Sequence, residues 1–399
     1  MKSYVVIGGG LAGLTAANAL AGRGHEVTLL EQAGHLGGRA RTRQEGGYLL
    51  NLGPHALYRG GRAARTFREW KIPFSGGTPP TASRAYFLRG ERFHPLFTNL
   101  GGLLQSRMFT AGEKWEVANL LRCFTAAQAK PLETMADWLS RHVRSQRARD
   151  LAETLIRIST YAIDLDRLDA PIALHQIRSA LKDNVLYLDG GWQTLADGLA
   201  QRARSLGVRI RCGEAVDKAD CIDATGIVLA VGPAAVEKLT GVALPAGLPL
   251  HMASMELCLE GMPEDSTNVA FPVDRPLYLT VHSASAKLAP PGGRTVHVAK
   301  YLGGALQDPQ TVRTELEEYA TLVLPGWRQH TRFARFLPAL TVTPMAPTPT
   351  GRPREDSLGM ARMAIAGDWV GAEGMLADAA VASALRAANA IERPRAAAA

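Results

Sequence analysis

At 399 residues the chain is longer than a single compact core usually grows, so two lobes or a discontinuous pair are expected. A hydrophobic share of 46% with 21% charged residues is ordinary for a globular chain and excludes wholesale disorder. The net charge of +8, from 45 basic and 37 acidic residues, permits contact with anionic surfaces, but no basic run interleaved with aromatics marks a nucleic-acid binder.

The four cysteines, Cys123, Cys212, Cys221 and Cys258, are scattered without C-x-x-C spacing. That argues against a metal site and a disulfide framework, and it points to a reducing, cytoplasmic setting. No segment offers ~18 uninterrupted apolar residues for a membrane span. The first strand begins almost at Met1 and leaves no room for a removable signal.

Tyr4-Val5-Val6-Ile7 is an apolar run without polar alternation, as expected of a strand buried on both faces of a parallel sheet. Gly8, Gly10 and Gly13 follow with G-x-G-x-x-G spacing. Leu11 and Ala12 open a segment in which Leu14, Ala17 and Leu20 recur at helical intervals. Such glycines allow a tight turn, backbone approach to a pyrophosphate, and close helix–strand packing, with the helix N-terminus aimed at the phosphates. A second strand, Val27-Thr28-Leu29-Leu30, ends in Glu31, eighteen residues after Gly13, where an acid accepts the hydroxyls of an adenosine ribose. Gln32 stands beside it. A dinucleotide without a 2′-phosphate fits these features together.

Gly37-Gly38-Arg39-Ala40-Arg41 comes next, offering backbone amides and two guanidinium groups to phosphate oxygens. Tyr48 to Leu52 reads as a strand ending in the turn Gly53-Pro54-His55-Ala56. The run from Tyr4 to Leu57 resembles the N-terminal signature of the flavin monoamine oxidase, protoporphyrinogen oxidase and phytoene desaturase superfamily. The resemblance implies an α/β fold: a Rossmann-like FAD-binding domain of the glutathione-reductase type, with a parallel sheet, and a discontinuous α+β substrate domain. It implies FAD, held non-covalently, with Gly37, Gly38, Arg39 and Arg41 on the pyrophosphate and flavin edge and Gly53 to Ala56 near the isoalloxazine ring. His55 is then either a catalytic or a structural hydrogen-bonding residue.

From Arg62 the pattern changes. Ala85 to Leu88 and Arg92 to His94 read as a hairpin around Gly90, and Val117, Leu120, Leu121 and Phe124 share one helical face. Arg141, Arg144, Arg147 and Arg149 with His142 suggest a basic face on one helix, either solvated or docking to anionic lipid head groups. The family pattern resumes at Asp189-Gly190-Gly191-Trp192, which opens a helix from Thr194. Trp192 is a candidate cavity wall, with core packing as the alternative. By the resemblance, Val216 meets the adenine, and the apolar strand Ile227 to Val231 ends at Gly232 in a turn back toward FAD. Strands at Met255 to Leu259, Leu277 to Val281 and Val296 to Ala299 suit a sheet over the flavin, and Leu316, Tyr319, Ala320 and Val323 mark an amphipathic helix. Gly367-Asp368 resembles the family's closing motif, with Met375, Leu376 and Ala377 at the start of a last helix whose dipole faces the flavin.

The expected FAD-binding domain is therefore 1–61, 186–249 and 344–392, the substrate domain 62–185 and 250–343, and residues 393–399 a disordered tail. Amine oxidases of the superfamily usually carry a lysine on the strand here spanning Met252 to Leu259, which has none; Lys300 lies on a later strand. Ala289-Pro290-Pro291-Gly292 is similar to a turn of the carotenoid-desaturase branch. The expectation is dehydrogenation of a largely apolar substrate by hydride transfer to flavin, with amine oxidation or a non-redox isomerisation as alternatives. Oxygen and a quinone both stay open as electron acceptor, and no acid–base side chain is expected to dominate.

Overall fold

The computed structural model describes residues 1–304 and 306–392. The expected tail lies outside the described residues. The chain builds a five-stranded parallel sheet in the order Arg209–Cys212, Glu26–Glu31, Ser3–Ile7, Gly226–Leu229, Met363–Ile365. Its central register sets Val5 against Thr28 on one side and Ile227 on the other. Four of the five residues of Ser3–Ile7 are buried, as its unbroken apolar run requires.

Helices Leu11–Ala21, Gln193–Ser205 and Leu376–Glu392 cover the sheet and share one core with it. The facing residues are mostly alanine, including Ala12, Ala16, Ala380 and Ala384, so the first and last helices of the fold lie against each other closely.

A second sheet of seven strands runs Thr331–Ala346, Leu248–Glu260, Gly293–Gly303, Leu277–Val281, Val269–Pro272, Ala85–Arg89, Arg92–Pro95. All its pairs are antiparallel except Val269–Pro272 with Ala85–Arg89. One face is closed by helix Pro309–Val323, whose Leu316, Tyr319, Ala320 and Val323 are buried as their spacing predicts. A helical cap, mainly Ala111–Ala126, Met135–His142, Gln146–Thr160 and Ala170–Asp183, shares a core with the other end of this sheet.

Two expectations change. Ala63, Ala64, Phe67 and Ile72 pack into the core of the parallel sheet, so the stretch through helix Arg62–Glu69 belongs with the nucleotide lobe rather than the substrate domain. That helix is amphipathic but only eight residues long, with Arg62, Arg65, Arg68 and Glu69 on its exposed side, and so short an apolar face does not specify which lobe it packs on. The arginines expected on one basic face are split, with Arg141 on helix Met135–His142, Arg144 in the connection and Arg147 and Arg149 on helix Gln146–Thr160, and Arg141, Arg147 and Arg149 pair with Glu133, Glu113 and Glu153. Their charge is largely matched. No helix among the described residues is long and apolar enough to cross a membrane.

The cap core is centred on Trp138, fully buried and stacked between Phe124 (centroids 5.4 Å apart, planes at 9°) and His142 (4.0 Å, 21°). Trp138→Ala is expected to cost about 3–5 kcal/mol. A shift of the urea unfolding midpoint corresponding to less than half of this would show that the cap closes over the cavity left behind.

Candidate functional site

The three motif glycines are not equivalent. A Cβ at Gly8 would lie 2.4 Å from the Ala230 carbonyl oxygen, and one at Gly13 would lie 1.8 Å from that of Gly8, so both are demanded by packing within the protein. A Cβ at Gly10 would meet nothing within 4 Å. Open space therefore stands over the helix N-terminus at Gly10, where no side chain caps Leu11–Ala21. That is the arrangement an anionic ligand needs: bare N–H groups, a positive dipole end and room to approach. Leu11 and Ala12 form the first turn.

Glu31, at the end of its strand, accepts from Gly9 N–H at 2.6 Å and from Ala33 N–H at 2.8 Å. The carboxylate is thus fixed beside the glycine turn, with Gln32 exposed next to it. Gly37 N–H donates to Gly9 O at 2.9 Å, which lays the Gly37–Gly38 loop across the first. Arg39 and Asp368, 329 positions apart, meet in a bidentate ion pair at 2.8 and 2.5 Å, and Arg39 also donates to Val342 O. Asp368 is 4% exposed, so both its oxygens serve this pair. Arg41 is exposed and its guanidinium has no partner among the described residues, which leaves it available to an anion.

Gly367 is locked by Ser383 Oγ, bonded to both its N–H and its carbonyl. Arg352 reaches the carbonyls of Asp368, Gly371 and Gly374, holding the loop that leads into the last helix. Met375 is buried, Leu376 starts that helix at φ +56, and Ala377 is half-buried. Gly232 precedes helix Pro233–Thr240 and, like Gly10, faces open space at its Cβ position. Val216 is half-buried beyond Gly213 and Glu214, whose N–H groups bond Ala33 O and Glu31 O. The loops bearing Gly9, Glu31, Gly37 and Glu214 are thus bonded to one another beyond the ends of the parallel strands, with open space over Gly10 and Gly232.

The Gly53 turn is held from below. Gly53 N–H donates to Glu256 Oε1 at 2.9 Å, while Arg335 bonds Glu256 Oε2 at 2.6 Å and Asn51 O at 2.6 Å. His55 Nδ1 lies 3.0 Å from Gly53 O, and its ring meets the Trp192 ring edge-on at 5.1 Å. Burial keeps its imidazole below the ordinary histidine range, so it is neutral near pH 7.

Pro54, His55 and Ala56 form one wall of a cavity of about 470 Å³ between the cap and the seven-stranded sheet. Leu121 and Leu155 from the cap, Phe271, Tyr278 and Tyr301 from the sheet, and Leu376 complete much of it. Trp192 does not line this cavity; it is buried in the core of the nucleotide lobe, so the packing alternative holds. Its indole N–H nevertheless has no partner among the described residues. Lys300 is also remote from the wall: its Nζ bonds Gln307 and Glu315 at the surface. No group of three metal-ligating side chains occurs among the described residues.

A family model described as flavin containing amine oxidoreductase matches residues 11–237. The L-amino-acid oxidase of Bungarus fasciatus is 47% identical over 94 residues, which is 23% of this chain and 18% of that protein. The chain therefore aligns with about a fifth of the length of the curated relatives it matches. Among solved structures, an oxidoreductase from Methanosarcina mazei superimposes with a TM-score of 0.76 at 18% identity, covering 96% of this chain and 99% of that one. Putrescine oxidase bound to putrescine gives 0.69 at 15% identity, with 98% and 99% covered. These establish the fold.

Gly10→Ala and Gly13→Ala are expected to separate ligand room from packing. Gly13→Ala should lower the thermal unfolding midpoint by the equivalent of at least about 1–3 kcal/mol, whereas Gly10→Ala should leave apoprotein stability within about 0.5–1 kcal/mol and weaken FAD retention. Equal stability losses would remove the distinction. Glu31→Ala should lose on the order of 1.5–3 kcal/mol of FAD affinity, read by flavin retained after dialysis.

Proposed function

Because the chain belongs to the flavin containing amine oxidoreductase family, we propose that it dehydrogenates a largely apolar, uncharged small molecule. It is an FAD-dependent oxidoreductase, and the bound flavin supplies the hydride acceptor. The residues that fit the cofactor are those around the open cradle: the turn from Gly8 to Gly13, Glu31, Gly37, Gly38 and Arg41, with the Arg39–Asp368 pair and the last helix closing the other side. On this reading the protein binds, orients and dries the reacting bond, and the cofactor is held without a covalent link.

The observation that carries the substrate class is the lining of the cavity: it contains no Asp, Glu, Lys or Arg. A zwitterionic amino acid or a diamine bound there would bury a charge without a counterion, at a cost of several kcal/mol per ion. Aromatic and aliphatic walls with a few tyrosine hydroxyls favour a neutral substrate that uses one or two polar contacts for orientation. The position of Lys300 supports a desaturase-like member over a lysine-assisted amine oxidase. The Ala289–Gly292 turn, which joins Leu277–Val281 to Gly293–Gly303, supports the same reading. Amine oxidation remains the second reading for an apolar amine that enters uncharged, since neutral hydroxyls suit it. Oxygen or a quinone would serve as the electron acceptor.

The test is anaerobic bleaching of the purified flavoprotein. Neutral polycyclic or polyene compounds with activated C–H bonds are expected to reduce it, and L-amino acids and putrescine to leave it oxidised; bleaching by either charged class would overturn the proposal. Lys300→Met should keep the rate of flavin reduction within about tenfold, below the ~10²-fold loss typical of a missing general base. Acid precipitation should release all yellow colour, and colour left in the pellet would rule out non-covalent binding.

A further inference from the structure

Where the cap opens the cavity to solvent, it also turns apolar side chains outward. Thr98, Thr125, Leu181 and Asn184 line the cavity and are exposed, so its mouth lies among them. They come from the segment before helix Leu100–Gln105, the end of helix Ala111–Ala126 and the end of helix Ala170–Asp183. Phe97 belongs to the wall, and a Cβ at Gly102 would lie 2.9 Å from its own Cβ, so helix Leu100–Gln105 folds back against the cavity. Asn99 Oδ1 holds the turn by accepting from Gly102 N–H at 2.9 Å, and Leu100 and Leu104 are each left 59% exposed. Lys114 Nζ donates to Leu104 O at 2.5 Å, which brings the start of the next helix alongside, and Trp115 there is 74% exposed. Leu181, at the mouth itself, is 45% exposed.

The charge around these side chains has one sign. Trp115, Arg122 and Ala126 recur at i, i+7 and i+11, share one face of helix Ala111–Ala126, and are all exposed. Arg107 precedes that helix and Lys182 follows Leu181, both exposed. The two acids of the helix are engaged elsewhere: Glu113 accepts from Thr110 N–H at 2.8 Å and pairs with Arg147, while Glu116 accepts from Ser145 N–H at 3.1 Å and from Arg144 N–H. Single exposed leucines are ordinary, but an apolar group with basic neighbours at the rim of an uncharged cavity marks an interaction surface.

We propose that this face docks on the surface of an anionic lipid bilayer, with Leu100, Leu104 and Trp115 entering the head-group region and Arg107, Lys114 and Arg122 meeting lipid phosphates. The proposal rests on the reading that a largely apolar molecule uses the cavity. Such a molecule partitions into lipid, and a mouth held against the bilayer lets it enter without crossing water. A flat helix that exposes tryptophan and leucine beside basic side chains suits the interface in the same way, since the aromatic ring sits among head groups and the cations meet phosphate. The charge also argues against a second copy as the occupant, because a two-fold pairing of this face would set like charges against each other.

The test is flotation of the FAD-loaded protein with vesicles of phosphatidylcholine, alone or mixed with phosphatidylglycerol. Binding to the mixed vesicles at low salt is expected, at least about tenfold tighter than to phosphatidylcholine alone, and weakened by high salt. Trp115→Gln and Leu104→Gln should each weaken it by about tenfold, and Arg122→Gln by about fivefold. Arg313→Gln, on helix Pro309–Val323 over the sheet, should leave binding unchanged. The other tryptophans are buried or half-buried, so brominated lipid should quench the emission of the wild type and not that of Trp115→Phe. Absence of flotation, equal binding to both vesicle types, equal binding by wild type and Trp115→Gln, or quenching that survives Trp115→Phe would overturn the proposal. So would a dimer that Trp115→Gln splits while vesicles stay unbound, which would make the face a contact between copies. Flavin bleaching by neutral compounds in detergent, without vesicle binding, would sink the docking face and leave the dehydrogenation reading standing; vesicle binding without bleaching would do the reverse.

Discussion

The Glu256 carboxylate ties the two halves of the molecule together. It projects from the middle of strand Leu248–Glu260, fully buried, and its two oxygens take Gly53 N–H from the nucleotide side and Arg335 from the neighbouring strand. Arg335 continues to Asn51 O, and the Asn51 side chain accepts from Thr42 Oγ1 and Trp192 N–H. The turn bearing Pro54, His55 and Ala56 is thus suspended from the sheet by buried, charge-assisted bonds. Removing one partner of such a pair strands the other, at about 3–5 kcal/mol. That cost makes the geometry of the turn nearly invariant while the pair is intact.

The cavity depends on this constraint. Its walls come from the suspended turn, the sheet and the cap, and the cap and sheet share one continuous core that includes Phe87, Trp138, Leu250, Tyr301 and Met375. Tyr161 Oη donates to Pro54 O at 2.9 Å, so the cap also grips the turn directly. Three separately encoded elements therefore meet on residues 53–56, and the cavity they bound is lined without an ion pair.

Much of the nucleotide lobe was legible in the sequence because local rules and tertiary use coincide there. The glycine spacing, the strand that ends in Glu31 and the late Gly367-Asp368 pair each encode a backbone shape that few residues tolerate. The substrate side was less legible. Arg352 lies in a proline-rich stretch with no pattern, yet it organises three carbonyls before the last helix. Trp192 follows a Gly-Gly turn and looks like a cavity wall, but the depth of the helix it precedes puts it in the core. A signal for Glu256 did exist: in Met252 to Leu259 a carboxylate and a serine interrupt an apolar strand, and a charge in a strand of that kind is expensive unless it is paired. The lack of lysine on this strand and the presence of an acid are two readings of the same positions, and the acid carries the structural consequence.

Charge around the cavity is segregated by depth. The cavity holds none, the three imidazoles His55, His282 and His297 are kept neutral by burial, and the single buried carboxylate beside them sits next to an arginine. In a low-dielectric interior an extra proton moves toward the site where it cancels charge, because creating an isolated imidazolium there is costly. At Glu256 a proton removes a negative charge and leaves Arg335, which is 15% exposed and so partly hydrated, to carry the positive one. A charge in this part of the molecule thus rests where a counter-charge or water meets it, and the cavity lining offers no charged side chain. The uncharged lining of the cavity and the pairing of Glu256 with Arg335 are consequences of the same arrangement of buried groups.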